Sequence, residues 1–174
     1  YGGFLFMPVI FKPINPDSAH TFAVVKEVCQ QSYPSLDSNE GRQTVSRLVG
    51  LCKNVLASEP KAVSDLLIEH GLDVENDTDT VGAALEVLSA CDTRIQAPGA
   101  RIDFDDMIWI PALRQYSCKV YGTVLVDEAQ DLNAAQMHLV TASMGSKSRL
   151  IAVGDDRQAI YGWRGAGADV LATL

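Results

Sequence analysis

From Ser18 onward the apolar residues recur at helical spacing. In SAHTFAVVKEVCQQS (18–32), Phe22, Val25 and Cys29 share one face, with Val24 and Val28 one position off it, and Asp17 or Ser18 is the expected N-cap. NEGRQTVSRLVGLCKNVLA (39–57) repeats the pattern with Val45, Leu48, Val49, Cys52, Val55 and Leu56. Pro60 opens KAVSDLLIEHG, which closes on Gly71 as a helix C-terminus does. DTVGAALEVLSACDTRIQ (79–96) supplies Val81, Ala84, Leu85, Leu88 and Cys91. Four amphipathic helices predict an all-α module over 17–100, with APG (97–99) as its boundary. Upstream, FLFMPVIFKPI (4–14) is apolar and interrupted by Pro8 and Pro13, so residues 1–16 read as an extended lead-in rather than a helix.

Past residue 100 the pattern changes. VYGTVLVDEAQD is a short β-branched strand ending in acids, NAAQMHLVTASMG is an amphipathic helix, and SRLIAVGDD is another buried strand ending in Gly-Asp-Asp. A β-α-β order implies a parallel pair of strands buried by the rest of an α/β domain. Two strands cannot make such a sheet alone, so residues 101–174 predict part of an α/β domain whose sheet needs further strands.

Composition changes this picture little. The chain has 174 residues and 47% hydrophobic content, enough for one core or somewhat more. No apolar run reaches the ~20 residues of a membrane span, and the N-terminus lacks the order of a signal peptide, so no membrane partner and a cytoplasmic location are expected. Cys29, Cys52, Cys91 and Cys118 form no CxxC pair and read as reduced core thiols. Formal net charge is −8, against the basic character usual in nucleic-acid binders. The excess is uneven: residues 1–100 hold 13 acids and 7 bases, residues 101–174 hold 9 and 7. Much of it lies in EHGLDVENDTD (69–79), a solvated connection between helices.

The chemistry gathers at the two strand ends. In open parallel sheets ligands sit at the carboxyl ends of the strands, and Asp127-Glu128 and Asp155-Asp156 both fall there. An Asp in that position can hold Mg²⁺ through oxygen, while the adjacent Glu can orient an attacking water. The rival reading has these acids merely capping the next helix. Asp155 and Asp156 suit loop stabilisation better than a second metal. Asp103, Asp105 and Asp106 resemble a metal cluster but read better as first-turn acids of a helix. Gln130 and Asp131 either hydrogen-bond between the two stretches or begin the helix at Asn133. His20, His70 and His138 are isolated and carry no chemistry.

DEAQD (127–131), followed by VGDDRQAIYGWRGA (153–166), resembles motifs II and III of superfamily 1 DNA helicases of the UvrD/Rep/PcrA type. IDFDDMIWIP (102–111) resembles the segment by which those enzymes return from their helical 1B subdomain to the 1A motor domain, a RecA-like P-loop NTPase fold. The helices of 17–100 stand where 1B is expected. The resemblance implies Asp127 as a ligand of the Mg²⁺ of Mg-ATP, Glu128 as general base and Gln158 as sensor of the γ-phosphate. It implies Tyr161 and Trp163 as ring faces for single-stranded bases, with Arg164 beside them. Taken alone these aromatics would read as core; base stacking is sequence-tolerant and suits a translocase. The implied function is ATP-dependent unwinding of partly duplex DNA, 3′ to 5′.

One departure qualifies this expectation. A phosphate-binding loop needs GxxxxGK[ST], and no Gly-Lys pair occurs in the chain; GSK (145–147) lies between helix and strand. The expected partners are therefore a P-loop segment and a second motor domain, with Tyr1 and Leu174 as the ends of an internal slice that alone neither hydrolyses ATP nor unwinds DNA. The alternative is a stand-alone, ATPase-dead remnant that binds DNA or protein.

Overall fold

The computed structural model describes residues 15–72, 74, 76–97 and 99–155. The lead-in's apolar stretch (4–14) and everything from Asp156 onward lie outside the described residues. In chain order the elements are β1 (Asn15–Pro16), α1 (His20–Ser32), α2 (Asn39–Val55), α3 (Pro60–Glu69), α4 (Asp77–Arg94), β2 (Arg101–Ile102), α5 (Phe104–Leu113), β3 (Tyr121–Val126), α6 (Ala134–Ala142) and β4 (Met144–Ala152).

All four expected helices form, with ends set by local chemistry. Ser38 caps α2 by accepting from Gly41 N–H, and Asn76 caps α4 by accepting from Asp79 N–H. Pro60 stands first in α3, and Gly71 leaves it at φ +55° with its N–H on Ile68 O. At α1 the expected cap is displaced. The helix starts at His20, and Asp17 instead makes the preceding turn, its carboxylate accepting from Ala19 N–H and its carbonyl from His20 N–H. Phe22, expected on the buried face, is 39% exposed; Val24, Val25, Val28 and Cys29 are buried. The adjacent buried pair Val24-Val25 centres that face, and Phe22 falls outside it.

One hydrophobic core joins α1 to α4 and continues into Ile102, Trp109 and Ile110. It holds Val45, Leu48, Val49 and Cys52 of α2, Val63 and Leu67 of α3, and Ala84, Val87 and Cys91 of α4. The cysteines are free thiols, three buried and Cys118 half-buried. Burial pushes the Cys52 thiol up to about 12 and the Cys91 thiol up to about 11, which keeps both protonated and unreactive. Where the chain enters and leaves the helices, β1 and β2 pair in parallel, Asn15 with Arg101 and Pro16 with Ile102.

The second sheet is the parallel pair β3–β4, with α6 as the crossover. The expected β-α-β unit is therefore present, in a mixed α/β chain. Pairing begins at Tyr121 with Met144 and resumes at Thr123 with Arg149, so the GSK stretch is a bulge in β4. Gly145 N–H donates to Ser148 Oγ, whose hydroxyl donates to Tyr121 O across the bulge. This sheet has little core of its own: Leu125 is 72% exposed, Val153 61% and Ile151 44%.

A buried charge cluster holds α5 to the helices. Lys53 Nζ, on α2, lies 2.7 Å from Asp106 Oδ1, 3.3 Å from Asp103 Oδ2 and 2.6 Å from Thr21 Oγ1, and 5.7 Å from the centre of the Trp109 ring. The Thr21 hydroxyl in turn donates to Asp103. The reading of the three acids as helix-start residues holds: Asp103 is the N-cap and forms a capping box with Asp106, while Asp105 and Asp106 occupy the first turn. The partner Lys53 was not legible.

Burial disfavours the Lys53 ammonium, but the Asp106 and Asp103 carboxylates outweigh it and its pKa stands above the ordinary 10.5. Burial also opposes ionisation of Asp103; there Lys53 and Thr21 win and the pKa falls below 3.8. At Asp106 burial, reinforced by Asp103, wins and the pKa rises. Because the folded value of Lys53 is raised, its contribution to stability is complete below pH 10.5 and fades as pH climbs through the higher folded value. Lys53→Met leaves the buried Asp106 and the half-buried Asp103 without their cation and should destabilise the chain by ~3 to 5 kcal/mol at neutral pH. Asp106, already raised by burial, would rise further without its cation, and a raised acid loses stability as pH rises. Chemical denaturation should accordingly find a smaller deficit at about pH 4 than at about pH 8.

Candidate functional site

β3 ends at Val126, and the next two residues turn off the sheet abruptly. Glu128 has φ 50° and ψ 45°, the left-handed region that a non-glycine residue enters at a cost of ~1 to 2 kcal/mol. Its N–H donates to Asp127 Oδ1 at 3.0 Å. A single 3-10 turn, Ala129–Asp131, follows, and Asn133 then caps α6 in a capping box with Gln136 at 2.9 and 3.0 Å. The Asn133 amide also donates to Asn54 Oδ1 of α2 at 2.9 Å. The site is thus pinned to the helical core from one side.

It is pinned to β4 from the other. Val153 N–H donates to Val126 O at 2.8 Å and Ala129 N–H to Val153 O at 2.9 Å, so the ladder continues past both strands into their exits. Gln130 is buried; its Nε2 donates to Glu128 Oε2 at 2.7 Å and its Oε1 accepts from Asp155 N–H at 3.0 Å. Of the two readings left open for Gln130, the link between the acidic stretches is the one observed. The helix start belongs to Asn133. Gly154 is required by this contact, since a Cβ there would come within 2.3 Å of Gln130 Oε1 and 3.1 Å of Ala129 N.

The edge faces a cleft of about 840 Å³. Asp127, Glu128 and Asp131 stand on one wall, Arg47, Asn54 and the 69% exposed Phe104 on the other. Asp131 Oδ1 is buried without a hydrogen-bond partner among the described residues. The donors on that wall are all oxygen, the set that Mg²⁺ prefers. Among the described residues no three His, Cys, Asp or Glu side chains converge into a self-sufficient metal cage. Mg²⁺ needs none, because it keeps its waters and takes one or two carboxylates with the phosphates of its ligand. The residues present fit that ion.

Asp127 and Glu128 therefore stand together at the shared carboxyl edge of two parallel strands, as expected. Gln158, Tyr161, Trp163 and Arg164, with Asp156, lie outside the described residues. Sequence reasoning missed Asn54 and the packing role of Gly154. Asn133-x-x-Gln136 was a legible capping signature; Asn54, distant in sequence, offered no signal.

The model of the UvrD/REP helicase N-terminal domain matches residues 12–174, through both the helices and the strands. The chain belongs to that family. It is 42% identical over 82 residues to ATP-dependent DNA helicase Rep of Escherichia coli (strain K12), a stretch covering 42% of this chain and 12% of that protein. It is 40% identical over 73 residues to ATP-dependent DNA helicase PcrA of Staphylococcus aureus (strain Mu50), covering 37% of this chain and 10% of that protein. The chain thus spans a small part of the length of the relatives it matches. No helix among the described residues is long and apolar enough to cross a membrane.

Within this UvrD/REP-family chain the capping box at Asn133 sets where the DEAQD stretch stops and α6 begins. Asn133→Ala removes the cap and the bond to Asn54, and should cost ~1 to 2 kcal/mol of stability. The loss is measurable by denaturant titration, and Asn54→Ala should account for only part of it.

Proposed function

We propose that this chain is the first motor segment of an ATP-dependent DNA helicase, with a RecA-like parallel sheet in 101–174 and a 1B-like helical subdomain in 17–100. The observation that carries this reading is the position of Glu128: turned off the end of a parallel strand by a left-handed backbone, with its carboxylate held by Gln130 at the mouth of a cleft. Backbone strain at a strand end that lines a cleft is the kind of outlier from which a functional role is reasonably inferred.

In this reading Asp127 would hold the Mg²⁺ that accompanies ATP, and Glu128 would take the proton of the attacking water. Bound Mg²⁺ supplies charge neutralisation on the phosphate oxygens. Asp127 contributes one hard oxygen from a rigid strand end; Glu128, one residue on, is aimed differently by its backbone, so the two carboxylates serve different tasks. Gln158 would sense the γ-phosphate, and Tyr161, Trp163 and Arg164 would grip single-stranded DNA by stacking and charge. The phosphate-binding loop and the second motor domain would come from other segments of the working protein, so the isolated chain is inactive. Movement 3′ to 5′ along the strand follows from the family resemblance.

In the full-length polypeptide that carries this chain, Glu128→Gln should lower ATP turnover by ~10²- to 10⁴-fold while ATP still binds. Trp163→Ala should weaken single-stranded DNA binding by the ~1 to 3 kcal/mol of one stacked base, read by fluorescence anisotropy. Undiminished turnover in Glu128→Gln would favour a binding module without ATPase chemistry.

A further inference from the structure

Gln130 is buried at 5% exposure, yet its two polar ends are both engaged, and with different partners. The amide nitrogen donates to one oxygen of the Glu128 carboxylate at 2.7 Å, and the amide oxygen accepts from the Asp155 backbone at 3.0 Å. We propose that Gln130 is a positioning residue for the hydrolytic step, setting the Glu128 carboxylate and registering it to the exit of β4. This rests on the reading of Glu128 as general base.

The physical case begins with the freedom of a Glu side chain. Glu128 is exposed, and three rotatable bonds separate its carboxylate from a backbone that already points away from the strand. A general base must lie within hydrogen-bond reach of one water. Gln130 removes that freedom at Oε2 and leaves Oε1 for the water. The task needs a side chain that donates at one end and accepts at the other at this reach, which is an amide's property; a carboxylate only accepts, and a thioether of the same length offers no N–H.

The second half of the link is steric. Gly154 lies so close that a Cβ would overlap Gln130 Oε1 at 2.3 Å, with Ala129 N and Gln130 N at 3.1 and 3.2 Å behind it. The amide is therefore clamped between the β4 exit and the turn after β3. A shift of residues 154–155 must move the amide and, through it, the carboxylate. Beyond Asp155 the chain reads DRQAIYGWRGA, so the position of the base is tied to the backbone that leads directly into the second motif.

The test uses the full-length polypeptide and steady-state ATP hydrolysis across pH, with Glu128→Gln as reference. Gln130→Glu keeps the acceptor for Asp155 but turns a second carboxylate on Glu128. It should lower kcat about 10- to 100-fold with KM for ATP within about twofold, and the acid limb of the kcat profile should move to higher pH, because paired carboxylates resist double ionisation. Gln130→Ala should lower kcat without that displacement. Gly154→Ala, which expels the amide from the other side, should reproduce Gln130→Ala, and the double variant should lose nothing further. Gln130→Glu and Gly154→Ala that both keep kcat within about twofold and an unmoved profile, while Glu128→Gln is inactive, would overturn the positioning role and leave Glu128 as the base. Turnover persisting in Glu128→Gln would instead remove the premise, and with it this proposal.

Discussion

The ammonium of Lys53 is the point on which the described structure hangs. It reaches from α2 to Thr21 on α1 and to Asp103 and Asp106 at the start of α5, inside a site where the lysine and Asp106 are each only 1% exposed. Desolvating three charges consumes most of what their attraction yields, and apolar side chains of equal volume would stabilise the fold as well or better. What the cluster supplies is register. Three helices meet at one angle and one depth, because any slip leaves a carboxylate unpaired in the core. The next residue, Asn54, extends the same register to the cap of α6. Two consecutive positions of α2 thus locate the element before the β-α-β unit and the helix within it.

That arrangement explains why the two halves differ so much in burial. The helices close a core of their own, whereas β3 and β4 expose Leu125 and Ile151, and Val153 just past β4 is exposed too. A parallel pair is ordinarily covered on both faces, and here its order at the strand ends comes from specific bonds rather than from packing. The ladder past Val126, the capping box at Asn133 and the Gln130 bridge all converge on the residues that carry the charge. The acidic edge is the best-tied part of the sheet, as a site needs when its side chains must be held in one geometry.

Much of this was legible from residue order. Helical spacing revealed α1 to α4, and Pro60 and Gly71 marked α3 because each residue type solves one end of a helix. The β-α-β order was readable because short β-branched runs flank a helix-forming segment; the amphipathic face expected of that helix is absent, only Ala135 of α6 being buried. Asp127 and Glu128 stood out because two acids directly follow an apolar run, at the carboxyl end of a parallel strand. What escaped depended on contacts between distant segments. Lys53 reads as one more polar position on an amphipathic helix until α5 is folded against it. Phe22 satisfied the period yet lay outside the packed arc, since period fixes a face but not its width. Gln130 showed two possible roles, and only the return of β4 to the same edge, with Gly154 leaving room, selected one.

On the function proposed above, a nucleotide is hydrolysed at the carboxyl edge of β3 and β4. The most direct measurement is a crystal structure of the full-length polypeptide with Mg²⁺ and a non-hydrolysable ATP analogue. It should place the terminal phosphate at this edge, with Asp127 on the ion, a water between the phosphate and Glu128, and the Gln130 amide still on the Glu128 carboxylate. A nucleotide bound elsewhere, with Glu128 facing bulk solvent, would contradict it.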